Sequence, residues 1–187
     1  MRLGETINKV FLTGGAGFIG SHVVDLLLPA GYAVTVYDNL SNGRAEFLAP
    51  HRKHPRFRMV QADVLDYPRL RAEMAGHDLV WHLAANTDII GSHAQPRRDL
   101  RDGTEGAFNV VEAMRELGIR PLLFASTGAV YGDLCREQAV SEAAGPLLPV
   151  STYGAGKIGS EAFLAAFAHV YGLRAWIYRF GNVVGAR

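Results

Sequence analysis

The stretch Lys9–Gly20, KVFLTGGAGFIG, decides the fold, because an apolar run breaks into glycines and then turns apolar again. Val10, Phe11 and Leu12 read as a buried parallel strand, Gly14 to Gly17 as a tight turn, and Phe18 onward as the start of a helix. Such a turn accommodates a phosphate. Glycine has no Cβ to hold a ligand off, and the helix that follows offers unpaired N–H groups and the positive end of its dipole. Gly15, Gly17 and Gly20 satisfy G-x-G-x-x-G, while Gly14, Gly17 and Gly20 satisfy G-x-x-G-x-x-G, and both spacings stay open.

Beyond the glycines, Ser21 to Leu28 carries apolar residues at helical spacing and Gly31 closes that helix. Ala33 to Tyr37 then forms a second strand ending in Asp38. An acid about 20 residues past a glycine turn is placed to accept hydrogen bonds from an adenosine ribose. Its charge repels a 2′-phosphate, so the cofactor read here is NAD rather than NADP; Arg44 is the one nearby residue that pulls the other way. The polar turn Asn39–Gly43 can close over the adenosine end.

At 187 residues the chain fits one domain and can bury a sizeable core. A formal charge of +1, with 49% hydrophobic and 20% charged residues, gives no global pull toward nucleic acid or membrane. The basic run His51-Arg52-Lys53-His54-Pro55-Arg56 reads as a solvated loop, since no aromatic residue is interleaved among its charges. One cysteine, Cys135, excludes an internal disulfide and suits a reducing cytoplasm. The opening MRLGETINK holds no signal-peptide core, no run is long enough to span a bilayer, and no set of metal ligands stands out.

Further along, Arg56 to Gln61 alternates into a third strand, and Asp63 beyond it either meets an adenine amino group or caps a helix over Tyr67 to Ala75. Asp78 to Leu83 is a fourth buried strand, leading into the small residues Ala84 and Ala85 where a ligand crossing the strand tips needs room. His82, with apolar neighbours on both sides, reads as a hydrogen-bonded core histidine. A long helix over Asp99 to Leu117 ends at Gly118, with Arg97, Arg98 and Arg101 as a solvated face near its start. Pro121 to Ala125 is a fifth strand ending in Ser126-Thr127-Gly128; Asp133 to Pro149 is a loop or lid; Tyr153 to Tyr171 is a helix; Arg174 to Arg179 is a sixth strand. The alternation predicts an α/β fold, a doubly wound parallel sheet with helices on both faces.

Tyr153 and Lys157 are four apart on one helix, so both project from the same face. A free phenol has a pKa near 10, about three units too high for a base at neutral pH, and closing that gap takes roughly 4 kcal/mol. A lysine ammonium and an oxidised nicotinamide both push in that direction. Thr127 offers a hydroxyl that can orient a substrate oxygen, and the chemistry expected is oxidation of an alcohol, Tyr153 taking the proton.

Taken as an ordered set, TGGAGFIG at Thr13–Gly20, YDNLSNGR at Tyr37–Arg44, AD at Ala62–Asp63, HLAA at His82–Ala85, STGAVYG at Ser126–Gly132, YGAGK at Tyr153–Lys157 and YRFGNVVGAR at Tyr178–Arg187 resemble the extended short-chain dehydrogenase/reductases. Within them the likeness is to the NAD-dependent sugar-nucleotide epimerase/dehydratase family. That resemblance implies a Rossmann domain over residues 1–187, with cofactor contacts from Gly14, Gly17, Phe18, Ile19, Gly20, Asp38, Asn39, Asp63, Val64, Leu83, Ala84, Ala85, Tyr153 and Lys157. It implies Thr127, Tyr153 and Lys157 as the catalytic three, Thr127 and Asn182 toward a nucleotide-sugar, most simply a UDP-sugar, and a homodimer formed through the two long helices.

Family members continue past the position of Arg187 into a smaller substrate-binding domain, which is absent from this chain. An apolar rim is therefore expected to be exposed. The family's usual Asn and Gly-Thr are replaced by Gly103 and Gly106-Ala107, so the contacts of that helix are not carried over. Dehydratases of the family carry acids directly after the catalytic Thr; Gly128-Ala129 stand there, which favours 4-epimerisation through transient oxidation at C4. Dehydration, decarboxylation, reduction and a non-catalytic NAD-binding module are the alternatives.

Overall fold

A computed structural model describes residues 7–88, 91, 94–135 and 139–187. The first six residues, on which the reading of the amino terminus rests, and 136–138 of the expected lid lie outside the described residues.

Six strands, β1 (Lys9–Thr13), β2 (Ala33–Asp38), β3 (Phe57–Gln61), β4 (Leu79–His82), β5 (Pro121–Thr127) and β6 (Arg174–Phe180), form one sheet in the order β3-β2-β1-β4-β5-β6. Every neighbouring pair is parallel. This is the doubly wound order in which the chain reverses direction between β1 and β4, opening a crevice beyond the strand tips. The expected α/β architecture is therefore the one observed.

Alternation along each strand sends residues to two cores. Val10 and Leu12 of β1 pack with Val23, Val24 and Leu27 of α1 (Phe18–Leu27) on one face. Phe11 packs on the other face with α2 (Tyr67–Met74), α3 (Gly106–Leu117) and α4 (Thr152–Tyr171). Because all three of these β1 residues are 0% exposed, the strand shows the continuous apolar run of a strand covered on both sides.

The helix ends follow their chemistry. Asp66, not Asp63, caps α2 by accepting the Arg69 N–H at 3.3 Å, so Asp63 is left to the crevice. Gly118 and Gly172 end α3 and α4 in left-handed conformations, both at φ 71. Two local features differ from the sequence reading. A short 3-10 helix over Ala45–His51 contains Pro50 and has no helical period to betray it. The expected regular helix from Asp99 instead runs as a π-helix over Asp99–Glu105 before α3 begins, and its wider turn lets both Asp99 and Thr104 reach α4.

The glycine turn packs tightly against its own backbone and against the tip of β4. Gly14 has φ +68, and a Cβ there would lie 2.6 Å from Ala84 N; a Cβ on Gly20 would lie 2.3 Å from Gly14 O. Gly103, by contrast, has helical backbone and open space around its Cα. Gly20→Ala is therefore expected to cost at least about 2 kcal/mol, and Gly103→Ala to gain about 0.5–1 kcal/mol. Urea unfolding midpoints check both signs; a stabilised Gly20→Ala would contradict the packing described.

Candidate active site

The crevice beyond the strand tips is a cavity of about 870 Å³. This is near the upper end of the roughly 300–1,000 Å³ of small-molecule sites. Every residue expected at the cofactor or substrate lines it: Gly14, Gly17, Phe18, Ile19 and Gly20 from the turn, Asp38, Asn39, Asp63 and Val64 at one end, Leu83, Ala84 and Ala85 in the middle, and Thr127, Tyr153, Lys157 and Asn182 at the other end. Gly15 faces away, where a Cβ would lie 2.6 Å from Val36, so Gly14, Gly17 and Gly20 are the spacing that faces the crevice.

The turn is held from three sides. Gly14 N donates to Tyr37 O at 3.0 Å, Leu83 N donates to Thr13 O at 3.1 Å, and Ala84 N donates to the Thr13 hydroxyl at 3.2 Å. The Asp38 carboxylate accepts Ala16 N at 2.9 Å and Leu40 N at 2.8 Å. A carboxylate has about four acceptor positions, so Asp38 can brace the turn and still accept ribose hydroxyls. Asn39 donates to Asp63 at 2.9 Å, which ties the residue after Asp38 to the tip of β3 at this end of the crevice.

At the far end, Ser151 caps α4 by accepting Gly154 N at 3.1 Å, which starts the helix just before Tyr153. Lys157 follows one turn later and is 4% exposed, its Nζ donating to Ala125 O at 2.7 Å and lying 4.9 Å from the Phe124 ring centroid. Burial pulls its pKa down to about 8. Tyr153 moves the other way: burial raises its pKa, a hydrogen bond with Thr127 lowers it, and the charge of Asp99 raises it, leaving it above 10. The expected lowering by Lys157 is not among the effects on the phenol in this structure: the ammonium turns to the Ala125 carbonyl, while burial and a carboxylate act on Tyr153. Thr127 Oγ accepts Ala129 N at 3.1 Å, which leaves its proton for an oxygen at Tyr153 or on a substrate.

His82 is the core histidine expected from its neighbours. It is 2% exposed, its Nδ1 lies 2.6 Å from the Thr13 hydroxyl, and burial beside Lys157 lowers its pKa to about 3. The sequence reading missed other parts of the site. Arg98, expected on a solvated face, lines the crevice with Asp102, to which its Nε is 3.4 Å distant. Beneath the end that holds Tyr153 and Lys157, Glu161 accepts two bonds from Arg179, at 3.1 and 2.7 Å, and one from Ser126. Arg179 also reaches Tyr131 OH at 2.9 Å and Glu142 O at 3.2 Å, so one guanidinium joins β6, α4 and the segment after β5. Among the described residues no cluster of three His, Cys, Asp or Glu side chains is arranged for a metal, and no helix is long and apolar enough to cross a membrane.

The sequence profile of the NAD dependent epimerase/dehydratase family matches residues 10–187. The chain belongs to this family. It is 35% identical over 181 residues to a UDP-glucose 4-epimerase of Lacticaseibacillus casei, covering 95% of this chain and 52% of that protein. It is 32% identical to UDP-glucuronic acid decarboxylase 2 of Arabidopsis thaliana, covering 96% of this chain and 40% of that one. The crystal structure of a Thermus thermophilus UDP-glucose 4-epimerase in complex with NAD superposes with a TM-score of 0.87 at 35% identity, over 96% of this chain and 57% of that one. The chain thus spans about half the length of the UDP-glucose 4-epimerase relatives it matches.

Lys157 gives the family's crevice a measurable signature. Between about pH 8, where the folded chain releases this proton, and 10.5, where the unfolded chain does, the unfolded state holds more protons, so this group makes stability rise with pH. Lys157→Met removes that contribution. The Tm of the native chain minus that of the variant is expected to climb across this window; a flat or falling difference would show that Lys157 is not buried as described.

Proposed function

We propose that the chain is the NAD-binding, proton-transferring part of a sugar-nucleotide epimerase, acting on the C4 hydroxyl of a UDP-hexose. One observation carries this reading: a crevice that holds the bare glycine turn and Asp38 at one end gathers Thr127, Tyr153 and Lys157 at the other. The cradle suits a dinucleotide because Gly14, Gly17 and Gly20 leave backbone rather than side chain at its surface, at the start of α1. Gly14, Gly17, Phe18, Ile19 and Gly20 would hold the diphosphate, Asp38 and Asn39 the ribose, Asp63 and Val64 the adenine, and Leu83, Ala84 and Ala85 the path between. When bound, NAD supplies a reversible hydride acceptor and a positive charge at the reacting end.

Tyr153 takes the proton of the C4 hydroxyl and gives it back after the sugar has turned over. Thr127 holds the hydroxyl in line with the phenol oxygen, and Lys157 fixes the floor of the site through Ala125. Asn182, on the crevice wall, faces the nucleotide-sugar. Residues 128–129 carry no acid to drive loss of water, which favours epimerisation over dehydration. The UDP-glucose 4-epimerases among its relatives support the same substrate class.

The single cysteine fits a cytoplasmic setting. Pairing through α3 and α4 is supported by an aromatic cluster on their outer faces, where Phe108 lies 5.2 Å from Phe163 and each is more than a third exposed.

Two measurements test the reading. In a protein that turns over a UDP-hexose, Tyr153→Phe is expected to lower kcat by about 10²–10⁴-fold or more, while calorimetry shows NAD still bound; unchanged turnover would refute the role of Tyr153. Light scattering of the native chain is expected to give a dimer mass that falls toward the monomer in a Phe108→Glu/Phe163→Glu variant, and a native monomer at micromolar concentration would reject the pairing.

A further inference from the structure

Asp99 belongs to no expected site, yet it touches both flanks of the turn that carries Tyr153 and Lys157. It is 2% exposed, and its Oδ2 accepts the Thr152 hydroxyl at 2.7 Å, one residue before Tyr153. Its main-chain oxygen abuts Gly156, one residue before Lys157, where a Cβ would come within 3.0 Å. Its Oδ1 accepts Asn86 Nδ2 at 2.8 Å, and Asn86 itself lines the crevice just past Ala85. A single buried residue therefore fixes the first turn of α4 against the tip of β4.

We propose that Asp99 is a positioning residue for proton transfer, fixing the turn that carries Tyr153 and Lys157 through Thr152 on one flank and Gly156 on the other, with its carboxylate held beside that turn. This deepens the epimerase reading and rests on Tyr153 being its proton carrier. The geometry makes the π-helical run before α3 functional: the wider turn over Asp99–Glu105 brings the Asp99 side chain to Thr152 and the Thr104 hydroxyl to Gly156 O at 3.0 Å. Both bonds end on the same turn of α4.

The other groups around Tyr153 do not take over this role. Thr127 of β5 bonds the phenol and works against Asp99. Lys157, on the same helix, lies 6.0 Å from the Tyr153 ring centroid with its Nζ committed to Ala125 O, and His82 of β4 stays neutral beneath it. Arg98 and Asp102 share the crevice, where Asp102 is paired with both Arg98, at 3.4 Å, and Arg101, at 3.0 Å. Asp99 is the carboxylate whose charge acts on the phenol, raising its pKa alongside burial. It adds to burial, the larger effect, in favouring the protonated phenol.

The test needs neither turnover nor cofactor. The phenolate absorbance of Tyr153 is followed against pH as the difference between each chain and its Tyr153→Phe counterpart. Asp99→Asn keeps the shape and an acceptor for Thr152 but removes the charge, so Tyr153 is expected to titrate at lower pH than in the native chain, and Asp99→Glu to move it back. An unchanged titration in a folded Asp99→Asn variant would overturn the proposal and leave a purely structural role. If Asp99→Asn does not fold, Thr152→Val carries the test: it withdraws a hydrogen bond from the carboxylate and leaves its charge less shielded, so Tyr153 should titrate at higher pH, and an unchanged or lower titration overturns the proposal. Calorimetry of NAD on the native chain runs beside these titrations; absence of binding would count against the epimerase reading while leaving the Asp99 result to stand on its own.

Discussion

The structure depends on how closely the backbone approaches itself where β1 turns into α1. Gly14 sits against the amide of Ala84, and Gly20 sits against the carbonyl of Gly14, at distances no Cβ tolerates. That contact sets the entry of α1, brings the tip of β4 beside the tip of β1, and opens the crevice between them. The crevice and the fold are thus produced by the same missing side chains. Asp38 adds to the arrangement, since it anchors Ala16 N of the turn while sitting at the carboxyl end of β2. A residue suited to a ribose is therefore also part of the support for the turn beside it.

The parts legible in the sequence are those fixed by short-range rules. The glycine spacing, the apolar strands, the closing glycine Gly118 and the four-residue interval from Tyr153 to Lys157 each follow from local geometry, and each lies where that geometry places it. His82 was readable because its apolar neighbours left it no route to solvent. Arg98 was not, since a charged side chain near a helix start looks solvated unless the wall across from it is known. Asp99 was hidden for a related reason: its partners lie 13 residues before it and 53 after it, and no local pattern joins them. The Arg179–Glu161 clasp, 18 residues apart and split between a strand and a helix, escaped in the same way. Asp63 shows how narrow the margin can be, because a cap three residues later, at Asp66, decided between its two readings.

Long-range polar contacts of this kind have a common location. Asp99, Glu161 and Lys157 are all buried at the carboxyl end of the sheet, and each is satisfied by groups from other elements: Asn86 and Thr152, Arg179 and Ser126, Ala125 O. Burial of charge is costly unless hydrogen bonds replace water. Elsewhere the core is mostly apolar, with small hydroxyl residues such as Ser21 and Thr35 among it, and follows the alternation of strand faces. The polar exceptions concentrate where side chains must be held in one geometry, and a network that is fully bonded holds them more firmly than apolar packing, which admits sliding.

Burial at this end of the sheet also reverses an order that holds in water. Free lysine and free tyrosine differ little in acidity, tyrosine being slightly the stronger acid, with ordinary values of 10.5 and 10.0. Within the fold Lys157 falls to about 8 while Tyr153 rises, because removing water penalises a cation and an anion alike and drives the two groups toward their neutral forms. As pH increases, the crevice therefore gives up a proton from Lys157 before it gives up one from Tyr153. Burial, with the charge of Asp99 adding to it, holds the phenol in its protonated form, and positive charge entering this low-dielectric end of the crevice would favour the phenolate.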